Sequence, residues 1–178
     1  MREKEGKTEE RLDFVDINGV PNGRIHLRGT PILPGDYIRS VTVCVFNEEG
    51  QMLIQQRQSD KASWPDLWDV SAAGAIEAGE SPQMAAMREA EEELGIKPDF
   101  AETRPNIITT FSNGFTFTFI AKLDIEVKDI RIQKEELQQV RFAKEQEIIE
   151  MIERGEFVPY RISWIRYLFD ISDGEYMF

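Results

Sequence analysis

The sequence predicts a mixed α/β fold, and three observations carry that prediction. Two segments, Ile38–Phe46 (IRSVTVCVF) and residues 115–123 (FTFTFIAKL), alternate side chains around β-branched and aromatic residues, the period of a strand with an apolar face. Between them, Pro82–Leu94 is a run of good helix formers with capping residues at both ends. A second helical period follows late, over residues 144–154, with Ile148, Ile149 and Ile152 spaced to face inward.

In order, residues 1–10 are expected to form a disordered tail and residues 11–178 a single domain. A strand over 11–17, a turn through Asn18-Gly19-Val20-Pro21-Asn22-Gly23 and a strand near 24–27 make an N-terminal β-hairpin unit reaching about residue 37. The core, about 38–154, opens with Ile38–Phe46, a turn at Asn47-Glu48-Glu49-Gly50, and a hairpin partner over 51–57 (QMLIQQR). Cys44 inside this pattern reads as a buried, inert thiol. Trp64 and Trp68 read as core and loop packing rather than base-stacking platforms. Ser81 suits the N-cap of the central helix, Pro82 its first position, and Gly95 the left-handed residue that ends it. Residues 107–110 and 115–123 read as strands, with Phe115, Phe117, Phe119 and Ala121 on one apolar face. Residues 126–131 alternate poorly, 138–142 form a final strand, and Gly155 stops the helix over 144–154. A C-terminal helical segment, about 155–178, contains a packing helix over 162–169 (ISWIRYLF).

Composition narrows the function. With 178 residues, 41% hydrophobic and 30% charged, the chain can bury a real core. No apolar run approaches the ~20 residues that cross a bilayer, so no membrane partner is expected. The charged start MREKEGKTEER lacks the apolar stretch of a secretory signal, and the one cysteine cannot form an internal disulfide. Together these predict a cytoplasmic protein. A net charge of −12 argues against broad nucleic-acid binding, which needs clustered Lys and Arg. A small anionic substrate held locally through a metal stays open.

The chemistry concentrates on the central helix. Glu89, Glu92 and Glu93, at i, i+3 and i+4, share one face, while Met87, Ala90 and Leu94 fall roughly opposite and Glu91 lies off the acidic face as a solvated charge. Like charges this close repel by a few tenths of a kcal/mol per pair, which invites a compensating cation. Arg88 supplies part of it; hard divalent ions with a preference for oxygen supply the natural remainder. The plain alternative is an exposed acidic face. The flanks decide against it: Gly74, Glu80, Arg88, Glu89, Glu92, Glu93 and Gly95, with Ala90 and Ile96 in the apolar slots, reproduce GX5EX7REUXEEXGU. This resembles the Nudix box, and seven fixed letters coincide by chance about once in 10⁸ positions.

The resemblance implies a Nudix-type α/β/α sandwich around a mixed β-sheet. It implies hydrolysis, with Mg²⁺ or Mn²⁺, of a pyrophosphate bond in a nucleoside diphosphate linked to another moiety, by water attack on phosphorus. Carried over by position, Glu89, Glu92 and Glu93 bind metal with the Gly74 carbonyl as a further ligand. Glu89 is also the candidate general base, Arg88 orients it, and Glu80 pairs with Arg88. Glu136 is the alternative base from a later loop, weighed against an exposed charge. Arg57 and Lys61 border the approach to the box as candidate phosphate contacts or as plain surface charges. The small phosphorylated substrate is expected to be a nucleotide derivative, and a homodimer is compatible with everything above. The run LIQQRQSDKASWPDLWDVSAAG is similar to isopentenyl-diphosphate isomerases, but Ala73 and Ala75 stand where those enzymes carry a cysteine and a histidine. An alanine cannot relay a proton. The third reading, a non-catalytic Nudix sensor, sits poorly with a complete set of box carboxylates.

Overall fold

The computed structural model describes residues 10–174. The chain runs through β1 (Arg11–Val15), β2 (Pro21–Leu27), β3 (Ile38–Phe46), β4 (Met52–Arg57), β5 (Trp68–Asp69), β6 (Ala72–Ala75), α1 (Pro82–Leu94), β7 (Ile107–Phe111), β8 (Gly114–Lys122), β9 (Leu137–Ala143), α2 (Glu145–Glu153) and α3 (Ile162–Ser172). The tail expected over 1–10 lies outside the described residues except for Glu10, which pairs with Arg28.

β3 is the central strand. It pairs in parallel with β8 and antiparallel with β4 and β6, so the sheet is mixed. Its side chains divide by parity, as strand geometry requires. Val41, Val43 and Val45 enter one buried cluster with Ala85, Ala90 and Leu94 of α1. Cys44 and Phe46 enter the other, with Ile148 and Met151 of α2 and Ile165 and Leu168 of α3. Helices therefore cover both faces, which makes the α/β/α sandwich.

β4 meets β3 only at Phe46–Met52 before diverging, and β6 takes over the vacated edge from Ser40 to Val43. The Ser71 hydroxyl fills the opening: it donates to the Leu53 carbonyl at 2.6 Å and accepts from the Val45 N–H at 2.8 Å. β4 is then free to pair along its length with β9 and briefly with β5.

Several expectations shift. β1 ends at Val15 rather than Ile17, because the Asp16 carboxylate accepts the Asn18 and Val20 N–H groups at 2.9 Å each and starts the turn early. β2 accordingly begins at Pro21. β8 is buried on both sides: Phe119 and Ala121 lie in the α1 core, yet Thr118 opposite is fully buried too, and Phe115 is only half-buried against Tyr37. Residues 126–131 hold only a short 3-10 turn, Val127–Asp129. The last helix runs on to Ser172.

Candidate active site

The loop before α1 and the first turns of the helix build the site from local rules. Ser81 accepts the Met84 N–H at 3.2 Å, and Gly95 closes the helix at φ +66°. Arg88 faces back over the loop. Its Nε and Nη2 grip the two Glu80 oxygens at 2.8 and 2.9 Å, and Nη2 also reaches the Ala75 carbonyl at 3.0 Å. Nη1 donates to Glu89 at 2.8 Å and to Glu92 at 3.3 Å. Burial works against the Glu80 carboxylate, but the Arg88 hydrogen bonds and the Glu77 N–H outweigh it and lower its pKa. Glu80 in turn holds Arg88 firmly protonated. Glu91, off this face, is exposed and pairs with Lys97 at 2.6 Å.

Glu89 packs directly on the Gly74 backbone: a Cβ there would fall 1.8 Å from Glu89 Oε1, so a larger residue would push the Glu89 carboxylate out of this position. Burial raises the Glu89 pKa, and Arg88 only partly opposes it. Glu93 is more confined, at 8% exposure. Its Oε2 is buried without a hydrogen-bond partner. Burial, with repulsion from Glu89 and Asp69, pushes its pKa up to about 8, opposed by Lys61 and the Ala73 N–H. Glu92 is half-exposed and touches only Arg88 among the ion pairs of the described residues.

Glu136 reaches this neighbourhood through the loop before β9. That loop is stitched to the end of α1, with the Arg131 N–H on the Leu94 carbonyl and the Gln133 N–H on the Glu93 carbonyl, both at 3.0 Å. Glu136 is not a bare surface charge: it is half-buried and ion-paired with Lys61. The two candidate phosphate-binding cations thus already hold carboxylates. Arg57 donates to Asp69 at 3.2 Å and to the Ser63 carbonyl at 3.1 Å.

A groove of about 970 Å³ runs past Ala73 and Gly74 over the open face of β3, β7 and β8. Ser40, Thr42, Thr109 and Thr116 line it, as do Trp64, Tyr160 and Trp164. Trp64 corrects the sequence expectation of packing: it is 50% exposed.

Among the described residues, no three His, Cys, Asp or Glu side chains converge closely enough to hold a metal ion. Arg88 holds one oxygen each of Glu89 and Glu92. The donor set nevertheless fits a hard divalent ion. It is all oxygen, it includes the unpaired buried Glu93 Oε2, and it exceeds the local cations. Among the described residues, the ion-pair partners of Glu80, Glu89, Glu92, Glu136 and Asp69 are Arg88, Lys61 and Arg57, and Lys61 also acts on Glu93.

Sequence reasoning missed the residues that brace the site from a distance. Asp13, on the hairpin, accepts the Gly79 N–H at 2.9 Å, and Arg39 contacts Asp13 at 3.5 Å and the Glu80 carbonyl at 3.3 Å. Asp69 takes the Tyr160 hydroxyl at 2.8 Å. The available signal was a lone charge next to apolar positions, as at Arg39 and Asp69.

Known proteins resemble this chain in sequence and fold. The NUDIX domain model matches residues 36–167. A Nudix hydrolase of Listeria monocytogenes is 41% identical over 93% of this chain and 96% of its own. A solved Deinococcus radiodurans structure superposes with a TM-score of 0.73 at 26% identity, covering 89% of this chain and 98% of that one. An isopentenyl-diphosphate Delta-isomerase of Streptomyces coelicolor is 39% identical, but over only 49% of this chain and 44% of that one. Box residues gathered on one loop and helix beside an open groove, with likeness running nearly end to end, mean that the chain belongs to the Nudix family and is a Nudix pyrophosphohydrolase.

Proposed function

We propose that the protein uses Mg²⁺ or Mn²⁺ to hydrolyse the pyrophosphate bond of a nucleoside diphosphate linked to another moiety. The observation that carries this reading is the excess of buried carboxylate over cation around Glu93, whose Oε2 has no partner. Glu89, Glu92 and Glu93 would hold the ion, with the Gly74 carbonyl as a further oxygen donor. The bound cation supplies positive charge to the diphosphate oxygens as charge develops there. The chain's own residues do the rest. Glu80 holds Arg88 and Arg88 holds Glu89, so the base is oriented before substrate arrives. A carboxylate so oriented can accept the proton of the attacking water. Lys61 orients Glu136 in the same way, which favours Glu136 as the competing base.

Turnover of a nucleoside diphosphate panel with saturating Mg²⁺, alongside metal affinity, decides between them. Glu89→Gln is expected to lower kcat by about 10²–10⁴-fold, the usual worth of a general base, with Glu136→Gln losing far less. If Glu136→Gln loses kcat with metal affinity intact while Glu89→Gln mainly weakens metal binding, the roles are reversed. Full activity in both variants, or turnover unaffected by EDTA, would end the proposal.

A further inference from the structure

Trp64 stands in a conformation its own backbone disfavours. Its φ is +52°, and that of Asp66 two residues on is +62°. A bulky side chain rarely adopts the left-handed region, and such strain persists only where surroundings over-determine the backbone. Here they do. Arg57 Nε donates to the Ser63 carbonyl at 3.1 Å, and Gln56 Nε2 to the Asp66 carbonyl at 2.9 Å. Gln138 Nε2 donates to the Asp66 carboxylate at 2.7 Å. These pins do not bury the indole. They hold it half out in water, as part of the groove lining that also includes Gly74.

The same pins reach a second aromatic surface. Arg57 holds Asp69, and Asp69 accepts the Tyr160 hydroxyl. The Tyr160 and Trp164 rings lie 4.6 Å apart at 37° and also line the groove. Flat aromatic surfaces at the groove suit a planar ring. Ser40, Thr42, Thr109 and Thr116 line the same groove and give it a polar side, with the Ser40 and Thr116 hydroxyls bonded to each other at 2.9 Å.

We propose that Trp64, with Tyr160 and Trp164, forms the site for the nucleobase of the substrate, the Trp64 indole stacking on the ring while the diphosphate reaches Gly74 and the box carboxylates. This rests on the hydrolase reading above and names its substrate-recognition residue.

The test uses the full chain and two variants, Trp64→Gly and Trp64→Phe, with Mg²⁺. Each is assayed on ADP and on isopentenyl diphosphate, which has no ring, and each is melted. Stacking of one base predicts that Trp64→Gly raises KM for ADP roughly 5- to 100-fold with kcat within about threefold. Trp64→Phe restores KM to within about threefold, and KM for isopentenyl diphosphate rises at most about a fifth as much. Because glycine is at ease at positive φ, Trp64→Gly should melt no lower than the parent, and up to about 4 °C higher. A KM for ADP within twofold of the parent overturns the proposal. So does an equal loss on both diphosphates, or a lowered melting temperature, which would show the indole to be packing. If the parent hydrolyses neither compound, the hydrolase reading is judged on the substrate panel above and the stacking site on binding alone. Quenching of tryptophan fluorescence by ADP then decides: quenching lost in Trp64→Gly upholds the stacking site, and no quenching in the parent ends it.

Discussion

Glu93 concentrates the electrostatic tension of the site in one side chain. Its pKa of about 8 lies above the ordinary 4.5, so the folded chain holds a proton there that the unfolded chain has released. The sign follows directly. Its contribution to stability is fully present below about pH 4.5 and is lost as the pH rises through about 8. Urea denaturation in EDTA at pH 5 and pH 8.5 should therefore show a slope that Glu93→Gln flattens. The variant should be more stable at the upper pH by about 1–3 kcal/mol. An unchanged slope would mean that Glu93 is solvated rather than buried. Membership of the acidic set was legible in sequence because i, i+3 and i+4 fall on one helical face whatever surrounds them. Which member is buried was not, because burial of Glu93 depends on Asp69 and Lys61 arriving from other elements.

At the scale of elements, α1 and the β6 edge show opposite degrees of legibility. α1 runs over Pro82–Leu94 as expected, since its N-cap, its first-position proline and its terminal glycine are all local. β6 is four residues, Ala72–Ala75, with no strand pattern of its own. It exists because β4 diverges from β3 and leaves an edge open. The Ser71 hydroxyl sews that divergence, and removing it strands the buried Val45 N–H and the Leu53 carbonyl. Ser71→Ala should cost about 1–3 kcal/mol, against about 0.5 kcal/mol or less for the exposed Ser112→Ala. Equal urea midpoints for the two variants would show that the hydroxyl carries no such duty.

Across the whole molecule, the two buried clusters clamp the sheet between α1 and the α2–α3 pair, and Glu89, Glu92 and Glu93 ride on α1. A cation bound there should stabilise the entire fold, since it binds the native state alone. At 100 times its dissociation constant the linkage is worth about 2.7 kcal/mol, or roughly 5–10 °C in Tm for a chain of this size. Scanning calorimetry with rising Mg²⁺ should show that increase in the parent and lose most of it in Glu92→Gln/Glu93→Gln. A parent Tm indifferent to both Mg²⁺ and Mn²⁺ would count against the metal site. No helix among the described residues is long and apolar enough to cross a membrane.

The sequence by itself determined the mixed α/β class, the central helix with its caps, the strand β3, the inward face of α2, and the box that places the chain in its family. These are short-range properties, set by periodicity, capping and spacing within a few turns of chain. Tertiary structure alone decided the Lys61–Glu136 pair, the Asp13 and Arg39 brace on the loop before α1, and the posture of Trp64. Each joins segments far apart in the chain, or rests on pins from β4 and β9. No local pattern records which distant side chain will answer a buried charge or hold a strained backbone in place.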